Sequence, residues 1–342
     1  MKEEKPALTD WKSLYNAASE FKKIKCWEWM LDSDIFGVKD PYHERIGYCC
    51  IMGYLGEHFA LAVYMGSEGL NIYLKIQNRE LPDNDIESLM AQNCLMASFE
   101  DWEFLDEEDI NVLNKIKLRY KGFRPWPLFR SYRPGYHPWY LTKDEAKFLT
   151  QALKQSKEVA LRFKENPEML KPPKKGQYLV RIPKKWGRGW QWHDEWLKPE
   201  PLEEEKLVIP PINEIKLQKL KNKVKRRTGS WEADIFYAPT PIKEGDERPY
   251  YPYAAIFVDG VSGMVLHADV IKHEDYTTRF PNALMELIEN TGVKPLEILV
   301  RRDEAYEMLE LIASRLNINI KKKKKLKTLE MVQASMMQFF TR

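Results

Sequence analysis

The sequence predicts a two-domain mixed α/β protein. An α+β first domain spans residues 1–205, and in a second domain, residues 229–342, three antiparallel strands precede an α-β-α-β-α run. A chain of 342 residues usually exceeds what one hydrophobic core can organise. Apolar residues make up 44% of it, so a sizeable core can be buried. A proline-rich, charged stretch, PEPLEEEKLVIPPINE, indicates a junction, and a basic connector is predicted over residues 206–228, in which Ile215–Arg227 could form a basic helix.

The first domain begins with an amphipathic helix, because apolar residues recur at helical spacing from Leu8 to Ile24. Strand-like runs with glycine-containing joints then predict an antiparallel meander. Thr142 and Glu145 stand at capping-box spacing and predict the start of a long helix. The Pro-, Arg- and aromatic-rich segment Phe123–Tyr140 predicts an ordered, aromatic-packed loop, with a peptide-binding surface as the alternative. The other predicted elements are strands at Asp34–Val38, Gly47–Met52, Phe59–Tyr64, Cys94–Phe99 and Tyr178–Pro183, and helices at Ser67–Ile76, Asp83–Met90, Asp106–Leu118 and Thr142–Lys164.

The last third of the chain has a more regular pattern. Three consecutive strand candidates come first, and a tight DGVSG turn joins the second to the third. Strands that follow a helical crossover pair in parallel. The predicted elements are strands Ala233–Ile242, Tyr253–Asp259 and Gly263–Ile271, helix Asn282–Asn290, strand Glu297–Val300, helix Asp303–Leu316, strand Ile318–Lys322 and a helix from Thr328.

Composition and motifs exclude several functional classes. The net charge of +3 is too small to indicate a nucleic-acid or membrane partner, so only local clusters can do so. The four cysteines lack zinc-site spacing and predict free buried thiols in a reducing compartment. The N-terminus, MKEEKPALTDW, lacks a signal-peptide core, and we predict a cytoplasmic protein without a membrane span. P-loop, Rossmann, serine-hydrolase and zinc-peptidase motifs are absent.

Three segments of the last third carry a family resemblance. WEADIFYAP looks like the first strand of a retroviral-integrase or transposase catalytic core, where a Trp precedes the first catalytic Asp. YAAIFVDGVSGMVLHADV is similar to the second and third strands, and LVRRDEAYEMLELIASRLNI to the fourth strand and its following helix. The resemblance, which covers roughly the last 110 residues, implies a ribonuclease H-like fold. The family's Asn-Gly after the second acid is missing, and a lysine run precedes the last helix.

Carried over by position, the resemblance implies three catalytic acids, Asp234, Asp303 and Glu330. Asp234 and Asp303 would be metal ligands, because converging carboxylates hold one or two Mg²⁺ or Mn²⁺ ions that activate water against a phosphodiester. Each acid also has a structural explanation. Asp234 could face outward from its strand, Asp303 could cap a helix, and Glu330 could complement a helix dipole.

The whole chain also resembles a group of uncharacterised bacterial two-domain proteins. The shared patterns are WEWM, SDIFGV, GYC and LGEHFALAVY in the first half, with a second domain of the same type. This resemblance implies a bacterial cytosolic setting.

Two basic segments, Lys216–Arg227 and Lys321–Lys327, indicate a nucleic-acid partner, because lysine-rich runs neutralise phosphates. The first segment supplies six predicted nucleic-acid-binding residues: Lys219, Lys221, Lys223, Lys225, Arg226 and Arg227. Tryptophans between Trp186 and Trp196 could stack bases. A solvated surface and a lysine-protected sheet edge are the structural alternatives. Three hypotheses follow: a nucleic-acid-associated protein with a degenerate ribonuclease H-like domain, a metal-dependent nuclease using Asp234 and Asp303, and a non-enzymatic interaction or scaffold protein. A large exposed apolar patch near Trp126, Trp139 or Trp190 would favour the third.

Overall fold

A computed structural model describes residues 4–81, 85–187, 189–202 and 207–340, without the side chains of residues 85–87 and 336–340. The chain divides into two compact units, Met1–Glu203 and Glu204–Arg342. Each unit has a mixed sheet, with both parallel and antiparallel pairs, covered by helices. In the described residues, no helix is long and apolar enough to cross a membrane.

In the described part of the first unit, seven strands form one sheet in the order β5-β4-β3-β2-β1-β6-β7. The predicted antiparallel meander of β1, β2 and β3 is confirmed, and β1 pairs in parallel with β6. The strands are β1 Phe36–Lys39, β2 Ile46–Met52, β3 Ala60–Met65, β4 Cys94–Glu100, β5 Trp126–Tyr132, β6 Tyr178–Trp186 and β7 Gly189–Leu197, and the helices are α1 Leu8–Ile24, α2 Gly66–Gln77, α3 Asp85–Ala91, α4 Glu107–Ile116 and α5 Lys143–Glu165.

The main core of the first unit lies between the sheet and the helices α1 and α5. Alternate residues of the central strands face it, as the two-residue period of a strand requires; Cys49, Ile51 and Val63 are examples. The opposite face is covered by α2 through Leu70 and Tyr73. The predicted capping box begins α5, where Thr142 accepts from the Glu145 amide and Glu145 from the Thr142 amide.

Two strands of the first unit, β5 and β7, were not predicted. β5 lies inside the segment that the sequence predicted as a loop, and Arg130 within it is bound to Asp109 of α4. β7 pairs antiparallel with β6 in a long hairpin, and β6 ends at Trp186 rather than at the predicted Pro183. Dense Pro, Arg and Trp content concealed the two-residue period in both places.

All four cysteines are free and buried, as the sequence predicted. Burial raises the pKa of Cys26 and Cys49 to about 12 and also raises that of Cys50 and Cys94. Only the thiolate attacks a disulfide reagent. We therefore expect no reaction with Ellman's reagent at about pH 8 in the native protein, and reaction of all four thiols in denaturant. Rapid native labelling of any thiol would contradict this packing.

Five strands form the sheet in the described part of the second unit, in the order β10-β9-β8-β11-β12. The first three pair antiparallel, whereas β8–β11 and β11–β12 are parallel. The predicted placement of the leading strand beside the strand before residue 303 is therefore confirmed. The strands are β8 Arg226–Tyr237, β9 Tyr253–Asp259, β10 Val265–Ile271, β11 Val293–Val300 and β12 Asn319–Lys322, and the helices are α6 Glu214–Lys223, α7 Tyr276–Thr291, α8 Asp303–Arg315 and α9 Lys327–Phe340.

Helices cover both faces of this sheet. On one face α6, α7 and α8 form the larger core, around Phe257 and Phe280. On the other face α9 packs on β8 and β9 through Leu329, next to Leu326, which directly precedes the helix. The predicted connector over residues 206–228 is largely structured, because α6 buries Leu217 in the core and β8 already begins at Arg226.

Candidate functional site

Asp234 lies in the second half of β8, on the sheet face covered by α9. Its side chain has no exposed surface, and its neighbours along that face of the strand, Glu232 and Phe236, both contact α9. A carboxylate buried so completely requires a partner, because transfer of an unpaired charge out of water is strongly unfavourable. The structural alternative of an outward, solvated Asp234 is therefore wrong.

Two arginines are the partners of Asp234. The parallel pairing of β8 with β11 ends at Ala233 and Val300, so the next residue, Arg301, stands beside Asp234. Arg301 Nη2 donates to Oδ2 at 2.9 Å, and Arg302 Nε lies 3.2 Å from Oδ1. Oδ1 also accepts from the Ile235 amide at 3.0 Å.

This arrangement does not fit a divalent cation. Burial raises the pKa of Asp234, and the adjacent guanidinium groups of Arg302 and Arg301 oppose that shift. The two arginines bring more positive charge than one carboxylate neutralises, whereas a Mg²⁺ or Mn²⁺ site needs an excess of oxygen ligands. In the parts of the chain that the structure describes, no three His, Cys, Asp or Glu side chains are grouped to hold a metal.

Asp303 is the first residue of α8, and its side chain is 75% exposed. It accepts from Lys322 Nζ on β12 at 2.7 Å. Asp303 thus has a cation of its own, and Arg301 occupies the position beside Asp234 where the resemblance implied a second acid. Glu304, next to Asp303 in the sequence, interacts electrostatically with Arg302 and Asp234. Its pKa is raised, and the largest cause is the removal of the carboxylate from water. Each of the two predicted metal ligands is thus bound to cations in this structure, and the metal-binding role of Asp234 and Asp303 remains a prediction.

Glu330 lies in the first turn of α9 and is half-buried. Negative charge is stabilised at this end of a helix, which agrees with the structural alternative. Glu232, which the sequence did not single out, is buried and accepts from the Leu329 amide at 2.7 Å. Glu232 therefore supplies a side-chain acceptor to the start of α9, and the catalytic role of Glu330 remains a prediction.

A cationic region, here called the basic surface, covers the end of the second unit where β8 and β11 begin. The second half of α6, the short link after it and the start of β8 supply the six predicted residues, and β11 adds Lys294. Among the described residues, none of the seven forms an ion pair with a carboxylate. The seven are Lys219, Lys221, Lys223, Lys225, Arg226, Arg227 and Lys294.

Lys294 was missed because the predicted strand began at Glu297, whereas β11 begins at Val293. The register pairs Lys294 with Arg227 and Val293 with Arg226. Burial, followed by the charges of Arg227, Lys225 and Lys221, lowers the pKa of Lys294. The four cations are therefore close enough to repel one another, and their positive field is concentrated at the amino ends of two parallel strands.

The first unit carries exposed aromatic and basic groups of a different kind. Trp186, at the tip of the β6–β7 hairpin, is 71% exposed, and Lys184 and Lys185 beside it are exposed as well. The three tryptophans near which an exposed apolar patch would favour the scaffold hypothesis, Trp126, Trp139 and Trp190, are each half-buried.

Two family models match the chain. Residues 11–181 match a domain of unknown function (DUF7309), and residues 216–337 match a second domain of unknown function (DUF6930). No curated protein matches. The chain has a weak, partial resemblance to solved integrase structures. For the HTLV-2 integrase catalytic core domain in complex with magnesium, the dimeric form has 19% identity and a TM-score of 0.24 and the trimeric form 20% and 0.25.

Those two matches cover 32% of this chain and 68% and 67% of the integrase chains. A simian T-cell lymphotropic virus intasome in complex with PP2A regulatory subunit B56 gamma matches with 20% identity and a TM-score of 0.25. In that case the match covers 32% of this chain and 38% of the other.

Proposed function

The chain belongs to the family described as a domain of unknown function (DUF7309), and we propose that it is a nucleic-acid-binding protein whose second unit holds the phosphate backbone on the basic surface. The observation that carries the proposal is the set of seven cationic side chains without carboxylate partners among the described residues. Cations that repel one another in the free protein are stabilised when polyanion phosphates replace small counterions.

The strand arrangement supports a ribonuclease H-like second unit. Three antiparallel strands, with two more added in parallel beside the first of them, are the order and directions that this fold requires. Helices on both faces, with the last one over β8 and β9, agree with it.

We propose further that the unit binds without metal-dependent cleavage at Asp234. Arg301 and Arg302 hold the carboxylate that would otherwise bind a metal, so the buried acid is a structural anchor for the end of β11. The domain is in this sense degenerate: the fold is kept while the acid pair is replaced by an acid–arginine cluster.

Fluorescence anisotropy with labelled single-stranded DNA, duplex DNA and RNA tests the proposal. For the full chain we expect binding at low salt and a log–log salt dependence whose slope reflects the number of phosphate contacts. The triple variant Lys221→Gln/Lys225→Gln/Arg227→Gln should reduce the magnitude of that slope by about two to three, since each lost contact removes roughly 0.9 for B-DNA.

A matched control is the triple variant Lys115→Gln/Lys174→Gln/Lys175→Gln, which removes three exposed lysines from the first unit. It changes net charge by the same amount, so the slope of the control should stay close to that of the unaltered chain. Equal losses in both triple variants, or no binding by the unaltered chain at about 25 mM salt, would overturn the proposed function.

A further inference from the structure

Lys294 differs from the other cations of the basic surface in being buried. Only 5% of its surface is exposed, although β11 places it at the second position of the strand, close to the end of the sheet. Its partner in the register is Arg227, which is exposed. A lysine stem commonly lies along apolar surface while its ammonium group reaches water, but so little exposed surface leaves the ammonium group mostly covered.

Among the described residues, no carboxylate, carbonyl or hydroxyl oxygen accepts a hydrogen bond from Lys294. The charged groups that act on it most are cations: Arg227, Lys225 and Lys221, in that order. A buried ammonium group surrounded by like charge is unfavourable unless an anion joins it. The arrangement is therefore a cluster of cations around a covered lysine that lacks a counter-charge among the described residues.

We propose that Lys294, together with Arg227, Lys225 and Lys221, forms a binding site for a phosphate monoester. This inference rests on the proposed function and specifies one site within the basic surface. The group would come from the phosphorylated end of a nucleic-acid strand or from a small phosphorylated compound, and the chemistry of recognition is the same for both.

Charge favours a monoester over an internal diester. A monoester carries about −1.5 to −2 charges near pH 7 and three terminal acceptor oxygens, whereas a diester carries one charge and has two substituents. A cluster of four cations matches the two charges of a terminal group better than the single charge of a diester, while a continuous backbone contacts the exposed Lys225 and Arg227. Two roles thus share one surface: exposed cations follow the backbone, and the buried one holds the end.

Thermal unfolding of the full chain in inorganic phosphate, at an ionic strength matched with chloride, tests the site without any nucleic acid. We expect Tm to rise by about 3 °C or more at saturating phosphate. Lys294→Met keeps the apolar stem and removes the charge, so it should fold and lose the phosphate-dependent rise. The matched control Lys115→Met removes an exposed lysine of α4, outside the basic surface, and should keep the rise. A phosphate effect that is absent from the unaltered chain, or equal in Lys294→Met, would overturn the site.

Anisotropy with oligonucleotides of one sequence, ending in 5′-phosphate, 3′-phosphate or hydroxyl groups, then identifies the source of the monoester. We expect about fivefold or tighter binding of one phosphorylated end over the hydroxyl end, and loss of that preference in Lys294→Met. Equal binding of all three, with the phosphate effect on Tm intact, supports the site with a small phosphorylated compound as its ligand. If every oligonucleotide binds in a salt-dependent way, but phosphate does not raise Tm and no phosphorylated end is preferred, the monoester site is wrong while the proposed function stands. If no oligonucleotide binds at low salt, the proposed function fails, and the phosphate effect on Tm alone decides the site.

Discussion

Asp234→Asn is expected to lower the free energy of unfolding of the second unit by about 3 kcal/mol, because removal of one partner from a buried ion pair leaves the others uncompensated. The side chain of Asp234 has no exposed surface, and Arg301 and Arg302 are 31% and 27% exposed. Asparagine keeps the shape and one acceptor oxygen but cannot neutralise two guanidinium groups. Urea unfolding, with hydrogen exchange to locate the change in β8 and β11, measures the effect.

Asp303→Asn is the matched control, since the same chemical change is made on a carboxylate that is 75% exposed and bound to one lysine. Exposed ion pairs contribute about 0–1 kcal/mol, so this variant should remain close to the unaltered protein. Adding Arg301→Met to Asp234→Asn should recover part of the lost stability, because one unpaired cation is removed. Equal stability of Asp234→Asn and Asp303→Asn would show that Asp234 is not an anchor and would restore the case for a catalytic acid.

The sheet of the second unit was largely predictable because its information is local. Strand-like apolar runs, a glycine-containing hairpin and crossover helices are visible in the sequence, and the handedness and direction rules limit how they assemble. Tyr253–Asp259 was predicted with the bounds that the structure has. The first strand was predicted to begin at Ala233, whereas β8 begins at Arg226. The start was missed because the opening residues of β8 are polar and mostly exposed.

The partners of Asp234 could not be predicted, because they depend on the register between strands far apart in the sequence. Ala233 pairs with Val300, and a shift of one residue would place Val300 rather than Arg301 beside the carboxylate. The two-residue period of a strand makes such a shift decisive. The sequence identified the first acid, but it could not show that arginine stands where a second acid was expected.

The basic surface shows the same division between local and non-local information. The run from Lys219 to Arg227 is visible as a lysine-rich segment. Lys294 follows a Gly-Val pair and precedes a proline, which concealed the start of β11. Only the parallel pairing of β8 with β11 places Lys294 beside Arg227.

Gly47→Val is expected to reduce the stability of the first unit by about 3 kcal/mol, at the upper end of the range for overpacked cores. A Cβ at Gly47 would lie 2.4 Å from Val63 Cγ1 and 2.8 Å from Phe148 Cζ. Both side chains are fully buried between the sheet and α5, so neither can move into open space. The missing side chain at Gly47 is therefore what allows Phe148 to pack against β2. Denaturant unfolding compared with the unaltered chain measures the loss.

Two further variants separate overpacking from a general effect of replacing glycine in a strand. Gly229→Ala in β8 adds a Cβ whose nearest neighbour, Val261 Cγ2, is 3.8 Å away, which is an ordinary contact, so its stability should change little. Phe148→Leu combined with Gly47→Val should be more stable than the sum of the two separate losses predicts, because the smaller side chain makes room for the added methyl groups. Strict additivity of the two changes would place the strain elsewhere than at the contact between β2 and α5.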